Sequence, residues 1–472
     1  MIYNSIYNLF RSSPGPLRKF IHLVPVKYRF GGKNFTETYS FLKKSNEWDE
    51  EKIIKWQKKQ LEKLLNHAVN NVPFYKDIKL TSNNPFKNLE KFPVIDKETI
   101  QEDINKFIST NISKKNAYYV STGGTSGNQL KFYLDNSTYG KEWAFVMTAW
   151  GRIGFKPGDR VVSFRGVEFR DANKGIFWQD NPIYNMLEMS PFHLSEKNLH
   201  AYVEKIKKFN PKYIHGYPSA ISILAKYIMD NNKKLPSIKG ILAVSENLYS
   251  WQRELLEEAF DARVFSFYGQ SERVIMAAEC EKSTKYHIFP EYGITEIIGD
   301  DNEPVKPDEV GELVGTSFLN YYMPLLRYRT GDYAKLDSKK CECDRNHRII
   351  KDLIGRWKTE MIIAKDNSLI SITAFYRSLH SNIFDKIHLF QFYQEKTGEV
   401  TIRIVPRSGY NEEEEKKILY AFHKKVGTNL DIKIKTVDYI PLTDRGKHKL
   451  LIQNLRMNNE KDQSPFGSSK LS

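Results

Sequence analysis

The chain has few cysteines and lacks any long apolar run. Three of its 472 residues are cysteine, too few for the disulfide framework of a small secreted protein. No uninterrupted apolar stretch approaches the roughly 18 residues that a membrane-spanning helix requires. The first residues also lack the basic segment and apolar stretch of a secretory signal. These absences predict a cytoplasmic setting and no transmembrane segment.

Long basic tracts are missing too, although the net charge is +15. Basic residues are interleaved with acidic ones, as in EEEEKKILYAFHKKVG at 412–427. Such interleaving is typical of a solvated surface, so we predict no nucleic-acid partner. The aromatic, basic residues 1–45 fit either a peripheral contact with a membrane surface or, more simply, a cover over an apolar groove of the main domain.

Helical and strand-like patterns alternate along most of the chain. Residues 49–72 carry apolar side chains every three or four positions, behind an acidic first turn and before Pro73, which predicts an amphipathic helix. Between residues 100 and 330, β-rich runs at 160–164, 240–244 and 263–269 alternate with helical stretches such as AISILAKYIMDN and YSWQRELLEEAF. This alternation predicts an α/β fold with parallel strands and crossover helices, in which ligands bind beyond the carboxyl ends of strands.

The pattern changes after about residue 355. EVTIRIV (399–405) and DIKIKTVDYI (431–440) alternate as strands, and between them Asn411 caps a helix that Gly427 ends. We therefore predict three regions: a large domain at 1–354, a small α+β domain at 355–455 and a polar, disordered tail at 456–472.

The stretch STGGTSGN at 121–128 combines glycines with hydroxyl side chains after a predicted strand. Glycines let the backbone approach a ligand closely, and clustered N–H and O–H groups suit a phosphate oxygen. The loop has neither the Gly-Lys-Ser/Thr ending of a Walker loop nor a G-x-G-x-x-G spacing, so alone it fits a polar turn equally well. Its place after a strand matches that of ligand loops in parallel sheets.

Four other stretches accompany this loop. They are FYGQSE (267–272), YRTGDYA (328–334), IGRWKTEM (354–361) and PLTDRGKHKL (441–450). Each also fits an ordinary turn or surface loop, but their common order and spacing are not accidental. With HGYPSAI (215–221), VSENL (244–248) and GKHKLLI (446–452), the set resembles the adenylate-forming (AMP-forming) ligase superfamily over about residues 50 to 455. Within it, the chain is most similar to phenylacetate–CoA ligase-like proteins and to the CapK-type branch of capsular polysaccharide biosynthesis.

The resemblance implies a large N-terminal domain with mixed sheets and crossover helices and a small, mobile C-terminal domain. It also implies a reaction in which ATP and Mg²⁺ convert a carboxylate into an acyl adenylate, followed by transfer of the acyl group to the thiol of CoA or to an amine or hydroxyl. Neither the carboxylate nor the acceptor follows from the residues; the CapK resemblance favours cell-surface polysaccharide biosynthesis.

The resemblance also assigns roles to particular residues. Glu272 holds Mg²⁺, Tyr268 stacks on adenine, Asp332 accepts the ribose hydroxyls, and Arg356 approaches the nucleotide at the hinge to the small domain. Lys447 matches the mobile catalytic lysine. The other implied ATP-binding residues are Thr122, Gly124, Thr125, Ser126 and Gly127, which contact the β- and γ-phosphates, and Ser245, Glu246, Gly269, Gln270 and Ser271. Asn128 stands where a basic residue is common, and Lys131 lies slightly further on without an assigned role.

The three cysteines form a separate candidate site. Cys341 and Cys343 make a C-x-C, and Cys280 precedes His287. Together they supply the donors of a tetrahedral Cys₃His zinc site, which would be structural. The same residues also fit a simpler interpretation, in which C-x-C is a surface loop and Cys280 a small buried residue.

A second class of function stays open alongside the ligase. A non-catalytic, basic binding protein on the same scaffold could act at an anionic glycan, a membrane surface or nucleic acid. The presence of Glu272, Asp332 and Lys447 counts against a loss of catalysis.

Overall fold

The computed structural model describes residues 24–121, 130–165, 175–354, 361–366, 369–371, 386–426, 428–443 and 446–455. These residues form two compact units. The large unit is built from the chain up to Leu248 and from Leu256 to Leu353, and the small unit from Tyr249–Leu255 and from Ile354 onward.

The helices are α1 (Val26–Arg29), α2 (Lys33–Ser45), α3 (Glu50–Asn71), α4 (Pro85–Leu89), α5 (Lys97–Glu102), α6 (Thr138–Gly151), α7 (Glu196–Phe209), α8 (Pro218–Asp230), α9 (Ser250–Phe260) and α10 (Glu412–Val426). The strands up to residue 300 are β1 (Ala117–Ser121), β2 (Lys131–Asp135), β3 (Val161–Phe164), β4 (Trp178–Asn181), β5 (Met186–Met189), β6 (Tyr213–Gly216), β7 (Gly240–Ala243), β8 (Val264–Gly269), β9 (Met276–Ala278), β10 (Tyr286–Ile288) and β11 (Gly293–Ile298). The later strands are β12 (Val310–Ser317), β13 (Tyr328–Leu336), β14 (Ile349–Ile354), β15 (Met361–Ile363), β16 (Leu369–Ser371), β17 (Ile387–Lys396), β18 (Glu399–Pro406), β19 (Asp431–Thr436) and β20 (Leu451–Gln453). Among the described helices, none combines the length and apolar composition that crossing a bilayer demands.

Helix α3 follows directly from its sequence pattern. The Asp49 side chain accepts a hydrogen bond of 2.7 Å from the Lys52 amide, which caps the helix and satisfies one of its free N–H groups. The apolar face buries Leu61, Leu64 and Leu65 in a core shared with β2, β12 and β13. The predicted helix over 49–72 is thus confirmed.

A twelve-stranded mixed sheet dominates the large unit, in the order β11-β12-β13-β14-β10-β9-β8-β7-β6-β3-β5-β4. Strands β8, β7, β6, β3 and β5 run parallel, and helices α7, α8 and α9 follow β5, β6 and β7 as crossovers. Strand β9 pairs antiparallel with β8 and begins the antiparallel region. The predicted strands at 160–164, 240–244 and 263–269 all lie in the parallel region, which confirms the α/β interpretation.

The strand before the glycine-rich loop differs from the prediction. Strand β1 pairs antiparallel with β2 in a separate two-stranded sheet, with Ser121 opposite Lys131. The loop therefore connects two antiparallel strands and does not follow a strand of the parallel sheet. Alternating side chains identify a strand but not the strand with which it pairs, so the sequence pattern could not predict the pairing of β1 with β2.

Residues 24–45 cover an apolar surface of the large unit. Phe30, Phe35 and Leu42 are buried together with Phe145 and Trp150 of α6 and with parallel-sheet residues. Gly31 has a φ of 112°, and a Cβ there would collide with the backbone of α6. Of the two roles predicted for this region, the cover over an apolar groove is the one seen for residues 24–45, while residues 1–23 lie outside the described residues.

The small unit contains a four-stranded sheet in the order β19-β18-β17-β20. Helix α10 is capped by the Asn411 side chain, which accepts from the amides of Glu413 and Glu414 at 3.1 and 3.2 Å. Ile418 and Phe422 of α10 pack on the sheet. The predicted helix end at Gly427 and the predicted disordered tail at 456–472 fall outside the described residues.

Candidate active site

Three segments meet at the carboxyl edge of the parallel strands, where ligands bind in such sheets. They follow β6, β7 and β8. Gly216 ends β6 with a φ of 149°, and a Cβ there would run into the Phe164 carbonyl of β3. After β7, Ser245 adopts a left-handed φ of 65°. Beside it, the Glu246 carboxylate accepts from the Ser219 amide at 3.1 Å and the Ser219 hydroxyl at 3.0 Å, at the start of α8, where the helix dipole favours an anion.

Two tyrosine–carboxylate hydrogen bonds join the end of β8 and the segment after it to strand β13. The Tyr268 hydroxyl donates to Asp332 Oδ2 at 2.8 Å, and the Tyr328 hydroxyl donates to Glu272 Oε1 at 3.0 Å. Burial and the neighbouring Asp332 charge raise the pKa of Tyr268 well above its ordinary value, so the phenol keeps its proton and remains a donor. The structure thus fixes both predicted carboxylates at one place in the large unit.

A bulge in the pairing of β13 with β12 holds Asp332. Gly331 adopts a φ of 73°, and its amide donates to Glu312 Oε1 at 3.1 Å. The Asp332 amide donates to Thr330 Oγ1 at 3.1 Å, and the Thr330 hydroxyl in turn donates to the Leu313 carbonyl at 2.8 Å. These contacts set the carboxylate direction before any ligand binds, which lowers the cost of ordering it on binding.

The segment from Gly269 to Arg273 forms a turn between β8 and β9. The Arg273 amide donates to the Gln270 carbonyl at 3.1 Å, and Gln270 Oε1 accepts from the Ile275 amide at 3.2 Å. Gly269 and Ser271 are exposed, whereas Glu272 is 7% exposed. The Gln270 side chain therefore stabilises the turn. Glu272 is the buried residue of this segment.

Sequence reasoning missed two further residues of this region. Tyr328 starts the motif that contains Asp332, but its contact with Glu272 joins segments 56 positions apart. Arg273 approaches the carboxylate of Glu142 at 3.8 Å, and Tyr292 donates to the same carboxylate at 2.6 Å. Burial alone would lower the pKa of Arg273, but Glu142 together with Tyr118 and Tyr292 outweighs it, so the pKa is raised. The sequence signal that could have identified Arg273 is its position directly after Glu272.

Six predicted nucleotide-binding residues cannot be placed. Thr122, Gly124, Thr125, Ser126, Gly127 and Arg356 lie outside the described residues. Strands β1 and β2 fix only the two ends of the glycine-rich loop. Lys131 begins β2 on an exposed position.

Lys447 lies in a compact turn of the small unit, before β20. Its amide donates to Thr443 Oγ1 at 3.0 Å, and the Thr443 amide donates to the Lys447 carbonyl at 2.9 Å. Gly446 has a φ of 73°, a conformation that glycine adopts without strain. The next side chain, His448, is half-buried, and this burial lowers its pKa to about 4. The turn therefore holds the Lys447 backbone while its side chain stays half-buried.

The four predicted metal ligands come together in the large unit. Cys280 follows β9, His287 lies on β10, and Cys341 and Cys343 lie between β13 and β14. Because β10 pairs with both β9 and β14, the two connections are neighbours despite their separation in sequence. The donor atoms all lie within 4.8 Å of one another, and none of the three cysteines forms a disulfide.

The chain is similar in sequence to known proteins. The family model for the CapK C-terminal domain matches residues 362–454. Protein CapK of Staphylococcus aureus is 26% identical over 442 residues, or 90% of this chain and 93% of CapK. Phenylacetate–coenzyme A ligase of Thermus thermophilus is 26% identical over 327 residues, or 66% of this chain and 72% of that enzyme.

A solved structure supports the same fold. The crystal structure of 2-hydroxyisobutyryl-CoA ligase in the postadenylation state superposes with a TM-score of 0.67 at 15% identity, covering 87% of this chain and 91% of that one. The match extends well beyond the large unit, and at this level of identity it establishes a common fold.

Proposed function

Since the chain belongs to the adenylate-forming ligases of the CapK and phenylacetate–CoA ligase type, we propose that it is an ATP-dependent, AMP-forming carboxylate ligase. One observation carries this assignment: the paired hydrogen bonds Tyr268–Asp332 and Tyr328–Glu272, which fix two carboxylates beside the carboxyl edge of the parallel strands. The two carboxylates take different parts of one nucleotide.

Asp332 suits the ribose of ATP. A carboxylate can accept hydrogen bonds from both hydroxyls of a ribose, and the bulged strand around Gly331 already sets the direction of Asp332. Tyr268 lies within hydrogen-bond reach of Asp332, so its aromatic ring is near the ribose site. We assign adenine to this neighbourhood, with Ser245, Glu246 and Gly269 as further lining residues.

Glu272 suits a magnesium ion. Mg²⁺ prefers oxygen donors and commonly binds through one or two carboxylates together with substrate phosphates. Glu272 offers a buried carboxylate whose Oε1 is oriented by the Tyr328 hydroxyl. A bound Mg²⁺ would neutralise part of the triphosphate charge. We assign the glycine-rich loop, from Thr122 to Gly127, to the β- and γ-phosphates.

The reaction joins two anions, so cationic side chains are needed. The substrate carboxylate oxygen attacks the α-phosphorus, and the bond to the β-phosphate oxygen breaks with its electron pair leaving on pyrophosphate. We assign Lys447 to the reacting atoms, where an ammonium lowers the repulsion between carboxylate and phosphate. Arg356 is the second cation assigned to the nucleotide. An acceptor then attacks the acyl carbonyl, and AMP leaves.

We make two further proposals, one about the acceptor of the acyl group and one about the biological context of the reaction. Two of the similar proteins bear the names of CoA ligases, so we propose the thiol of CoA as acceptor, with an amine or hydroxyl as the competing chemistry. The similarity to CapK supports a carboxylate from capsular or cell-surface polysaccharide biosynthesis. The net charge of +15 suits an anionic glycan-linked substrate or CoA. No observation favours the alternative of a non-catalytic basic binding protein.

Exchange of labelled pyrophosphate into ATP tests the assignment directly. The full-length protein is incubated with Mg²⁺, ATP and, separately, aryl-acetic, fatty, amino and uronic acids. We expect one class to support exchange, and Glu272→Gln to reduce it by about 100-fold because charge stabilisation in the transition state is lost. Glu303→Gln, at an exposed acid of the large unit, is the matched control. Lack of exchange with every acid, together with salt-sensitive binding to anionic polymers, would overturn the assignment.

A further inference from the structure

The proposed reaction has no use for the cluster of Cys280, His287, Cys341 and Cys343. We propose that these four side chains, the Cys₃His cluster, bind one structural zinc ion. Thiolate and imidazole donors in this combination are typical of zinc rather than of magnesium or calcium, which prefer oxygen. Four protein ligands fill the tetrahedral shell, so the ion has no open position for a substrate.

Two of the donor distances are close to those of a tetrahedral zinc site, and all four donors lie within 4.8 Å of one another. With Zn–S bonds of about 2.3 Å and Zn–N bonds of about 2.0–2.1 Å, tetrahedral geometry places two sulfurs about 3.8 Å apart and sulfur and nitrogen about 3.5 Å apart. The Cys280 and Cys341 sulfurs are 3.6 Å apart, and Cys343 Sγ lies 3.7 Å from His287 Nε2. The second ring nitrogen, Nδ1, is slightly more distant from Cys343 Sγ, at 4.0 Å, which favours Nε2 as the ligand atom.

Hydrogen bonds around the cluster favour thiolates. The amides of Lys282 and Ser283 point at Cys280 Sγ, at 3.4 and 3.2 Å. N–H groups directed at sulfur stabilise the negative charge that a metal-bound cysteine carries. On the other side, Arg345 donates to both oxygens of Glu281 at 2.7 and 3.1 Å, which holds the arginine beside Cys343.

A buried arginine supplies an independent argument from charge. Arg152 donates through Nη1 to the carbonyls of Ala278 and Glu279 at 2.9 and 2.8 Å, while its buried Nε and Nη2 have no hydrogen-bond partner among the described residues. A buried cation needs a nearby negative charge. Three thiolates and one Zn²⁺ would give the complex a net charge of −1 near Arg152, on which the Glu281 carboxylate also acts. Zinc-bound thiolates would thus add to the counter-charge of Glu281.

Zinc would fasten two connections of the large unit together. One ligand pair, Cys280 and His287, belongs to the β9–β10 hairpin, and the other, Cys341 and Cys343, to the β13–β14 connection. The second connection follows the strand that carries Asp332. The ion would therefore brace the strand behind the ribose site without touching the nucleotide.

Metal content of the full-length protein tests the site without any activity measurement. Purified under reducing conditions without chelators, the protein should contain about one zinc per chain, and Cys343→Ser should reduce this to about a tenth or less. Glu342→Ser, at the exposed residue between the two cysteines, should keep its zinc. An unaltered zinc content in Cys343→Ser, or a wild type without zinc, would overturn the site.

Cobalt substitution covers the case in which Cys343→Ser fails to fold. Co²⁺ added to wild-type protein freed of zinc should give the visible bands of a tetrahedral ion and the near-ultraviolet charge-transfer band of thiolate ligation. Thiol counting under denaturing, non-reducing conditions should find all three cysteines reduced. A Cys280–Cys341 disulfide, seen as a single reactive thiol, would refute zinc binding. Each result is independent of whether the protein is a ligase.

Discussion

The hydroxyl group of Tyr268 donates a 2.8 Å hydrogen bond to Asp332, and at the other end of the same two segments Tyr328 donates to Glu272 at 3.0 Å. Each segment thus contributes one donor and one acceptor. The arrangement gives each carboxylate a neutral hydrogen-bond partner. In a nucleotide site, this orients both acids without cancelling the charge that each needs.

The first prediction concerns this pair. Tyr268→Phe keeps the ring but removes the donor to Asp332, so the carboxylate loses its orientation. A hydrogen bond to a charged group contributes about 1.5–3 kcal/mol, so we expect KM for ATP to rise about 10-fold or more, with a smaller change in kcat. Pyrophosphate exchange at varied ATP concentration measures both. Asp332→Asn should have the larger effect.

Tyr333→Phe is the matched control, because this tyrosine is adjacent to Asp332 in sequence and half-buried. Its KM for ATP should stay within about twofold of wild type, as is usual for a substitution away from special contacts. Equal effects of the two tyrosine substitutions would argue against a specific role for Tyr268, as would tighter ATP binding by Tyr268→Phe.

The second prediction separates the chemistry of Lys447 from binding. Lys447→Ala should lower the rate of pyrophosphate exchange at least about 100-fold, because the ammonium acts where charge develops in the transition state. The Kd for ATP, measured by calorimetry, should change little. Lys449→Ala removes a neighbouring lysine of the same segment and should retain activity. Exchange that persists in Lys447→Ala would show that another group supplies the cation.

The third prediction tests the backbone beneath the site. Gly216→Ala places a methyl group against the Phe164 carbonyl at a φ of 149°, so both strain and a backbone collision oppose folding. We expect the free energy of unfolding, measured with a chemical denaturant, to fall by about 1–3 kcal/mol from the backbone strain, and the collision adds to this loss. Gly151→Ala is the control, since open space surrounds its Cβ position. A fully stable Gly216→Ala protein would contradict the close approach of β6 to β3.

The fourth prediction is a pH dependence. Burial lowers the pKa of His448 to about 4, below the value of about 6.5 in an unfolded chain. As the pH falls from above 6.5 towards 4, the unfolded state takes up the proton before the folded state does, so the free energy of unfolding decreases. For this one group the loss between pH 7 and pH 5 is about 2 kcal/mol.

His448→Gln should therefore lose about 2 kcal/mol less stability than wild type between pH 7 and pH 5. Denaturant unfolding of the full-length protein at both pH values measures the difference. His200→Gln, at an exposed histidine of α7, should behave as wild type does. An identical pH dependence for wild type and His448→Gln would mean that the imidazole is already solvated in the folded protein.

Local patterns in the sequence predicted much of the fold. The apolar period of α3 and the acidic turn before it located that helix almost to the residue. Short apolar runs located β3, β7 and β8, because strands buried on both faces read as continuous apolar sequence. The motif residues that follow β7 and β8 could be assigned to one site, because the carboxyl ends of parallel strands lie at the same edge of a sheet.

Long-range contacts could not be predicted in the same way. The pairing of β1 with β2 depends on hydrogen bonds between backbones, which side-chain patterns do not encode. The contact between Tyr328 and Glu272 joins distant segments through one hydroxyl group. The Cys₃His cluster could be predicted in part. Its residue types suggested a metal site, but the pairing of β10 with β9 and β14, which brings the four residues together, could not be predicted from the sequence.

The burial of Phe30, Phe35 and Leu42 also bears on lipid binding and on how the protein can be shortened. Withdrawing these side chains to insert them into a bilayer would uncover the α6 surface, at about 1.5–3 kcal/mol for each. Lipid insertion by residues 24–45 and an intact interior therefore exclude each other. A shortened version starting at Asp49 would uncover Trp143 and Tyr184, whose ring centroids lie 5.1 and 5.5 Å from that of Phe30, and should aggregate where the longer chain stays in solution.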